Sequence, residues 1–304
     1  MRTFRFFSAG IAAVALVGAA CSESSTGMSA DKVAVQAAYD GLTGYTDNDF
    51  GDPGVVGTAS AAVVGGVQSV MDTAIAPRFW GRLRVVPGGP QPIFERDIVV
   101  QGDSAWVTRK ATFQGIFLVD TSADSMFNPT SKPLDDGVQQ RAVFARDRAT
   151  AHGWRLVSLT LLDWQNTAAD RRTVQIQNVA VFVNGAAVLD IANPDSLISA
   201  DSRVPLFHAG DTVKVTMHVA NTSGGNFSPA TFGFLHVRHA DPAGIRWRRV
   251  QMKDDGNGDF ERSWVVRFTG RDRFVVDALD AATLELGSVD NYRSNEWGVP
   301  FRVE

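Results

Sequence analysis

The sequence predicts an α+β N-terminal domain, with helices packed on a curved antiparallel sheet, followed by an all-β sandwich. Three observations carry this. Residues 31–79 space their apolar side chains at helical intervals. From Ile93 the period switches to two, the signature of half-buried strands. Beyond residue 173 nothing reads as helix, and about eight short alternating runs recur with turn residues between them.

Before the first helix comes a short export-type segment. Arg2 and Arg5 supply a basic start, residues 6–20 (FFSAGIAAVALVGAA) carry no charge, and the run meets Cys21, the single cysteine of the chain. That order is a secretory signal, and its uncharged stretch falls short of the ~20 apolar residues a bilayer span needs. With Gly18-Ala19-Ala20 directly before the cysteine, the segment resembles the lipobox of bacterial lipoproteins, departing from it in having Gly18 where Leu, Val or Ile is usual. The resemblance implies cleavage after residue 20 and acylation of Cys21. Ser22 in second place implies, by the enteric pattern, the outer membrane of a bacterial cell envelope. Ordinary secretion after cleavage at the small residues stays open as the alternative. Residues 21–30 (CSESSTGMSA) then serve as a flexible tether.

Loss of residues 1–20 removes Arg2 and Arg5, so the 29 basic residues fall to 27 against 33 acidic ones, a net charge of −6. A nucleic-acid partner would want a strongly basic domain, so none is expected. Acylation of Cys21 leaves no thiol, which excludes disulfides, thiol catalysis and cysteine metal sites. Hydrophobic residues at 44% and charged residues at 20% fit a folded globular protein.

Taken in order, residues 31–165 form the α+β region. Val35, Ala38 and Tyr39 share a helical face, with Asp31 placed to cap it. A Gly/Asp-rich loop leads to a second expected helix at 55–75, although Gly57, Gly65 and Gly66 each cost roughly 1 kcal/mol there against alanine. Strands at 93–101 and 104–119 flank the two-residue turn Gly102-Asp103, and a second pair, 138–147 and 154–164, flanks 149–153. The polar run 165–173 (QNTAADRRT) marks a boundary. Residues 172–304 then give strands at 174–183 and 186–191 around Asn184-Gly185, and further strands at 212–220, 232–239, 245–252, 260–268, 274–279 and 297–303.

The order of elements in 31–165, the Gly102-Asp103-x-Ala105-x-Val107 hairpin and the strand Gly153-Trp154-Arg155-Leu156-Val157 resemble the SnoaL-like, cystatin-like cone superfamily. That resemblance implies a ligand pocket on the concave sheet face. Residues 209–221 (AGDTVKVTMHVAN) resemble a strand of immunoglobulin-like bacterial surface domains, which implies an immunoglobulin-like sandwich for 172–304.

The hairpin register sets Val100 against Ala105, Ile98 against Val107 and Arg96 against Arg109 on one face, with Glu95 against Lys110 and Asp97 against Thr108 on the other. Two arginines opposed on an otherwise apolar face repel each other. They form either an anion clamp on the concave face or a pair relieved by a bulge or by side chains reaching outward. Trp247 and Arg248, with Arg238, Arg246, Arg249 and Trp264 nearby, make a second candidate, for an acidic glycan or a headgroup, or else simply sandwich core and solvated face.

Other patterns carry little. His236 and His239 stand three apart on an expected strand and so point to opposite faces. Residues 254–259 (DDGNGD) fail the calcium-loop spacing, since Phe260 and Val266 fall where Gly and Glu are required. Gly102-Asp103-Ser104 lies in a hairpin turn, not at a strand-to-helix elbow. No metal and no cofactor is expected.

The functional expectation is a membrane-anchored envelope lipoprotein acting as a non-enzymatic binding or assembly module, with envelope proteins or glycans as partners. The alternatives are a SnoaL-like enzyme using the N-terminal pocket, for which Asp97 and Asp147 find no convincing acid–base partner, and sugar binding by the C-terminal sandwich.

Overall fold

The computed structural model describes residues 28–46, 79–120, 128–224, 229–241, 244–284 and 292–304, the side chains of Phe79 and of 239–246 excepted. The expected signal, Cys21, most of the tether and the expected helix at 55–75 lie outside the described residues.

In chain order the elements are helix α1 (Ala30–Asp40), then strands β1 (Phe79–Leu83), β2 (Ile93–Gln101), β3 (Ser104–Asp120), β4 (Thr130–Arg146), β5 (Trp154–Leu159) and β6 (Leu162–Asn166). There follow β7 (Val174–Val183), β8 (Ala186–Ile191), β9 (Ile198–Ser199), β10 (Leu206–Phe207), β11 (Thr212–Asn221) and β12 (Thr231–Asp241). The chain closes with β13 (Gly244–Gln251), β14 (Lys253–Gly256), β15 (Asp259–Val265), β16 (Gly270–Asp280) and β17 (Ser294–Val303).

The α+β expectation for the first half is overturned. Among the described residues 61% are strand and 8% helical, with one α-helix, and the main element is a curled antiparallel sheet. The physical reason lies in what covers the inner face of β3 and β4. Both are 17 residues long and alternate buried and exposed positions along most of that length. Helix α1 covers only one end, where Val35 and Tyr39 pack with Phe144, Ala105 and Val107. At the other end the covering is made by strands from the second half. The sheet runs β1-β3-β4-β6-β17-β16-β12-β13, so β6 and the C-terminal β17 pair directly across the expected boundary at 165–173.

That path curls until its ends meet. Arg249 on β13 donates from Nη2 to the carbonyl of Trp80 on β1 at 2.8 Å, and its guanidinium lies 3.4 Å from the centre of the Trp80 ring. Trp80 in turn meets Phe234 of β12 edge-to-face at 4.9 Å. Eight strands thus surround the inward-pointing side chains. Gly115 makes this closure possible, because a Cβ there would stand 2.0 Å from the carbonyl oxygen of Leu83, where the chain leaving β1 crosses β3.

A five-stranded sheet, β14-β15-β11-β7-β8, packs on the outside of β16 and β17, giving the second half a β-sandwich-like build. β17 is consequently buried on both sides. Trp297, Val299 and Phe301 join Val181, Val213, Val215 and Phe274 in the sandwich core, whereas Glu296 on the opposite face meets Arg84. Strands covered on both faces read as near-continuous apolar runs, which is how β16 and β17 read. The Asn184-Gly185 turn has φ of 49° and 90°, the paired left-handed conformation of a tight hairpin. Helix α1 is capped by Ser29, which accepts from the Lys32 amide at 3.3 Å, while Asp31 pairs with Arg146 at 2.8 Å. No helix among the described residues is long and apolar enough to cross a membrane.

Candidate functional site

The strand alternation that buries Ile98, Ala105 and Val107 carries Arg96 and Arg109 to the same face, directly across from each other and without a register shift. Two different partners relieve their repulsion. Arg96 reaches outward to Asp40 at the end of α1, Nη1 to Oδ1 at 2.8 Å, with its guanidinium 5.0 Å from the Tyr39 ring centre. Arg109 stays inside, 5% exposed, and donates from Nη1 to the Thr46 carbonyl at 2.7 Å. Tyr39 between them donates to Gln140 at 3.3 Å. Burial raises its phenol pKa, and the positive charges of Arg109 and Arg96 oppose that rise.

Over this pair α1 and β2 leave a recess of about 460 Å³, lined by Met28, Lys32, Gln36 and Phe94 besides the two arginines, Ile98, Glu95 and Asp97. Lys32 and Gln36 lie one helical turn apart and so share the face turned to β2. Lys32 and Arg96 both line the recess, where a lysine brings three N–H donors and an arginine five, and Arg96 also pairs with Asp40. Phe94 and Met28, on opposite lips, are 52% and 51% exposed.

The second sequence-predicted group is not brought together into an open platform. Arg248 is exposed, and Trp247 is half-buried with the guanidiniums of Arg238 and Arg273 at 5.1 and 5.7 Å from its ring centre. Arg249 belongs to the barrel seam. Trp264 packs between Phe207 and Phe274 at 6.2 and 5.3 Å. His236 is fully buried, and the side chain of His239 lies outside the described residues. Asp147 accepts from the amide of Ala149 at 3.0 Å within the turn that carries the exposed His152. Among the described residues no three His, Cys, Asp or Glu side chains stand together as metal ligands.

Sequence reasoning missed the densest group of charges in the molecule, inside the barrel. Arg82 of β1 forks onto Asp277 of β16, Nη1 to Oδ2 at 2.8 Å and Nη2 to Oδ1 at 2.9 Å, and donates from Nε to the Tyr292 hydroxyl at 2.8 Å. His236 Nε2 meets Asp277 Oδ2 at 3.1 Å. Just beyond β1, Arg84 donates from Nε to Asp136 at 3.0 Å and from Nη2 to Glu296, with Trp164 stacked 4.1 Å beneath it. Tyr292 donates to Asp136 at 3.0 Å, and Lys132 donates to the carbonyl of Thr283 at 2.8 Å. Burial pushes every carboxyl here upward. In Asp277 the charges of Arg82 and His236 reverse that and hold it well below the usual range, whereas Asp136 and Glu296 stay raised despite the arginines.

A His–Asp pair with a tyrosine and two arginines has the residue types of acid–base catalysis. Here each is at most 6% exposed and turned toward a partner, so the group does structural work: it fills the barrel with matched charges. The signal was present in the sequence as charges at inward positions of apolar strands, Arg82 two residues after Trp80 and Asp277 within Val275-Val276-Asp277-Ala278-Leu279.

No family model, curated protein or solved structure matches the chain.

Proposed function

We propose that the protein is a lipid-anchored, non-enzymatic binding module of the bacterial cell envelope, and that the recess between α1 and β2 is its binding site for a small oxyanion, a carboxylate or a phosphate. The observation that carries this reading is the cross-strand pair Arg96 and Arg109 at a solvent-reaching recess with Lys32, in contrast to the sealed charges of the barrel. The lipobox-like segment ending at Cys21 supports the anchor, and the β-sandwich-like second half, read as an immunoglobulin-like surface module, supports the envelope setting. An enzyme reading is less well served. The barrel carboxylates that have suitable neighbours have no open face, and among the described residues lining the recess no histidine, tyrosine or cysteine stands with Asp97.

The test is thermal unfolding against a series of small anions. Phosphate or an organic carboxylate is expected to raise the midpoint by a few degrees at millimolar concentration, and the shift is expected to vanish in Lys32→Gln and Arg96→Gln. No shift with any anion, or the same shift in both variants, contradicts the assignment of the site.

A further inference from the structure

We propose that the oxyanion seated in this recess is the phosphodiester of a membrane headgroup, so that the body lies with α1 and β2 against the bilayer that holds the anchor. The inference rests on the anchor and the anion site proposed above.

Three features of the molecule converge on it. The first is reach: Met28, on the lip of the recess, is seven residues from Cys21, a span of at most about 25 Å when fully extended. An acylated Cys21 therefore keeps this end of the body within about 25 Å of the lipid surface.

The second feature is apolar. Phe94 and Met28 stand half-exposed on opposite lips. Large apolar side chains held out to solvent around a polar recess have the composition of an interfacial contact, with apolar residues entering the headgroup boundary around a charged centre.

The third is charge. The processed chain carries a net charge of −6, which opposes approach to an anionic leaflet at random orientation. Lys32, Arg96 and Arg109 collect three cations at the recess. Glu95 and Asp97 alternate to the opposite face of β2 from Arg96 and so rim the site on its outer side. With Asp40 on Arg96, the recess sets three cations against three carboxylates, so this end of the body approaches an anionic leaflet with less repulsion than the chain at large.

The body contains no cysteine besides Cys21, so a label can be placed at one position of the full chain. Phe94→Cys, carrying a polarity-sensitive fluorophore, is purified with its anchor and reconstituted into vesicles of phosphatidylethanolamine and phosphatidylglycerol. Val188→Cys on β8, an exposed position of the second sheet, is the control. The label at 94 is expected to shift to the blue and to be quenched by doxyl lipid, and the label at 188 to stay aqueous. Lys32→Gln with Arg96→Gln is expected to reduce the quenching at 94 several-fold while near-ultraviolet circular dichroism shows the fold intact.

Equal, water-like emission at 94 and 188 from protein that stays on the vesicles overturns the docking and leaves the anchor standing. Protein that washes off the vesicles overturns the anchor and the docking with it. A rise in unfolding midpoint with inorganic phosphate but no quenching at 94 assigns the recess to free phosphate, and quenching indifferent to both cation variants removes the headgroup from the account.

Discussion

Asp163 sits on the outer face of β6, only 6% exposed, and accepts from Gln165 Nε2 at 2.6 Å and from Asn295 Nδ2 at 3.3 Å. Burial pushes its carboxyl up to about 6 against the hydrogen bonds that favour the charged form. The folded protein thus holds this proton more tightly than the unfolded chain does, so its contribution to stability is full below pH 4 and is lost as pH rises toward and through 6. That contribution is on the order of 2–3 kcal/mol across the window. Asp163→Asn is expected to flatten this part of the stability–pH curve, measured by urea unfolding between pH 4 and 7, and an unchanged slope contradicts it. The barrel pair behaves differently. Asp277→Asn leaves the Arg82 cation buried without its carboxylate and is expected to cost about 3–5 kcal/mol, whereas Arg82→Met with Asp277→Leu recovers most of it. A double-mutant cycle by chemical denaturation measures this, and additive losses refute the coupling.

At the scale of elements, most strands were legible because a period of two needs only local sequence. The hairpin β2–β3 and its Arg96–Arg109 register are found where alternation and the Gly102 turn put them, with Gly102 at φ 58°. Besides the short β9, β10 and β14, two stretches escaped. β1 and the 130–137 stretch of β4 place Arg82, Lys132 and Asp136 at inward positions, so apolar-in, polar-out alternation does not mark them. Their placement depends on Gly115 on β3, whose missing side chain lets the chain after β1 pass. Gly115→Ala is expected to cost on the order of 4 kcal/mol or more, as an overlap with backbone that nothing nearby can relieve. Gly137→Ala on β4 is the matched control, since a Cβ there meets Thr167 at an ordinary 3.5 Å and should cost under about 1 kcal/mol. Equal urea midpoints for the two variants contradict this account of the crossing.

At the scale of the whole molecule, one sheet runs through both of the halves into which the sequence divides. Pairing between β6 and β17 joins residues more than a hundred positions apart, and no local pattern encodes such a partner. The helices expected to cover the first sheet were inferred from a local period, while the covering comes largely from β12, β16 and β17, whose two buried faces read simply as apolar strands. The recess was legible in Arg96 and Arg109 and not in Lys32 or in the partners Asp40 and Thr46. The functional account rests on where this body is held, and Cys21 decides that. The measurement is metabolic labelling with radioactive palmitate in a bacterial host, comparing the full chain with Cys21→Ser. Label on the wild type and none on the variant is the predicted result; an unlabelled wild type, or a labelled Cys21→Ser, contradicts the anchor.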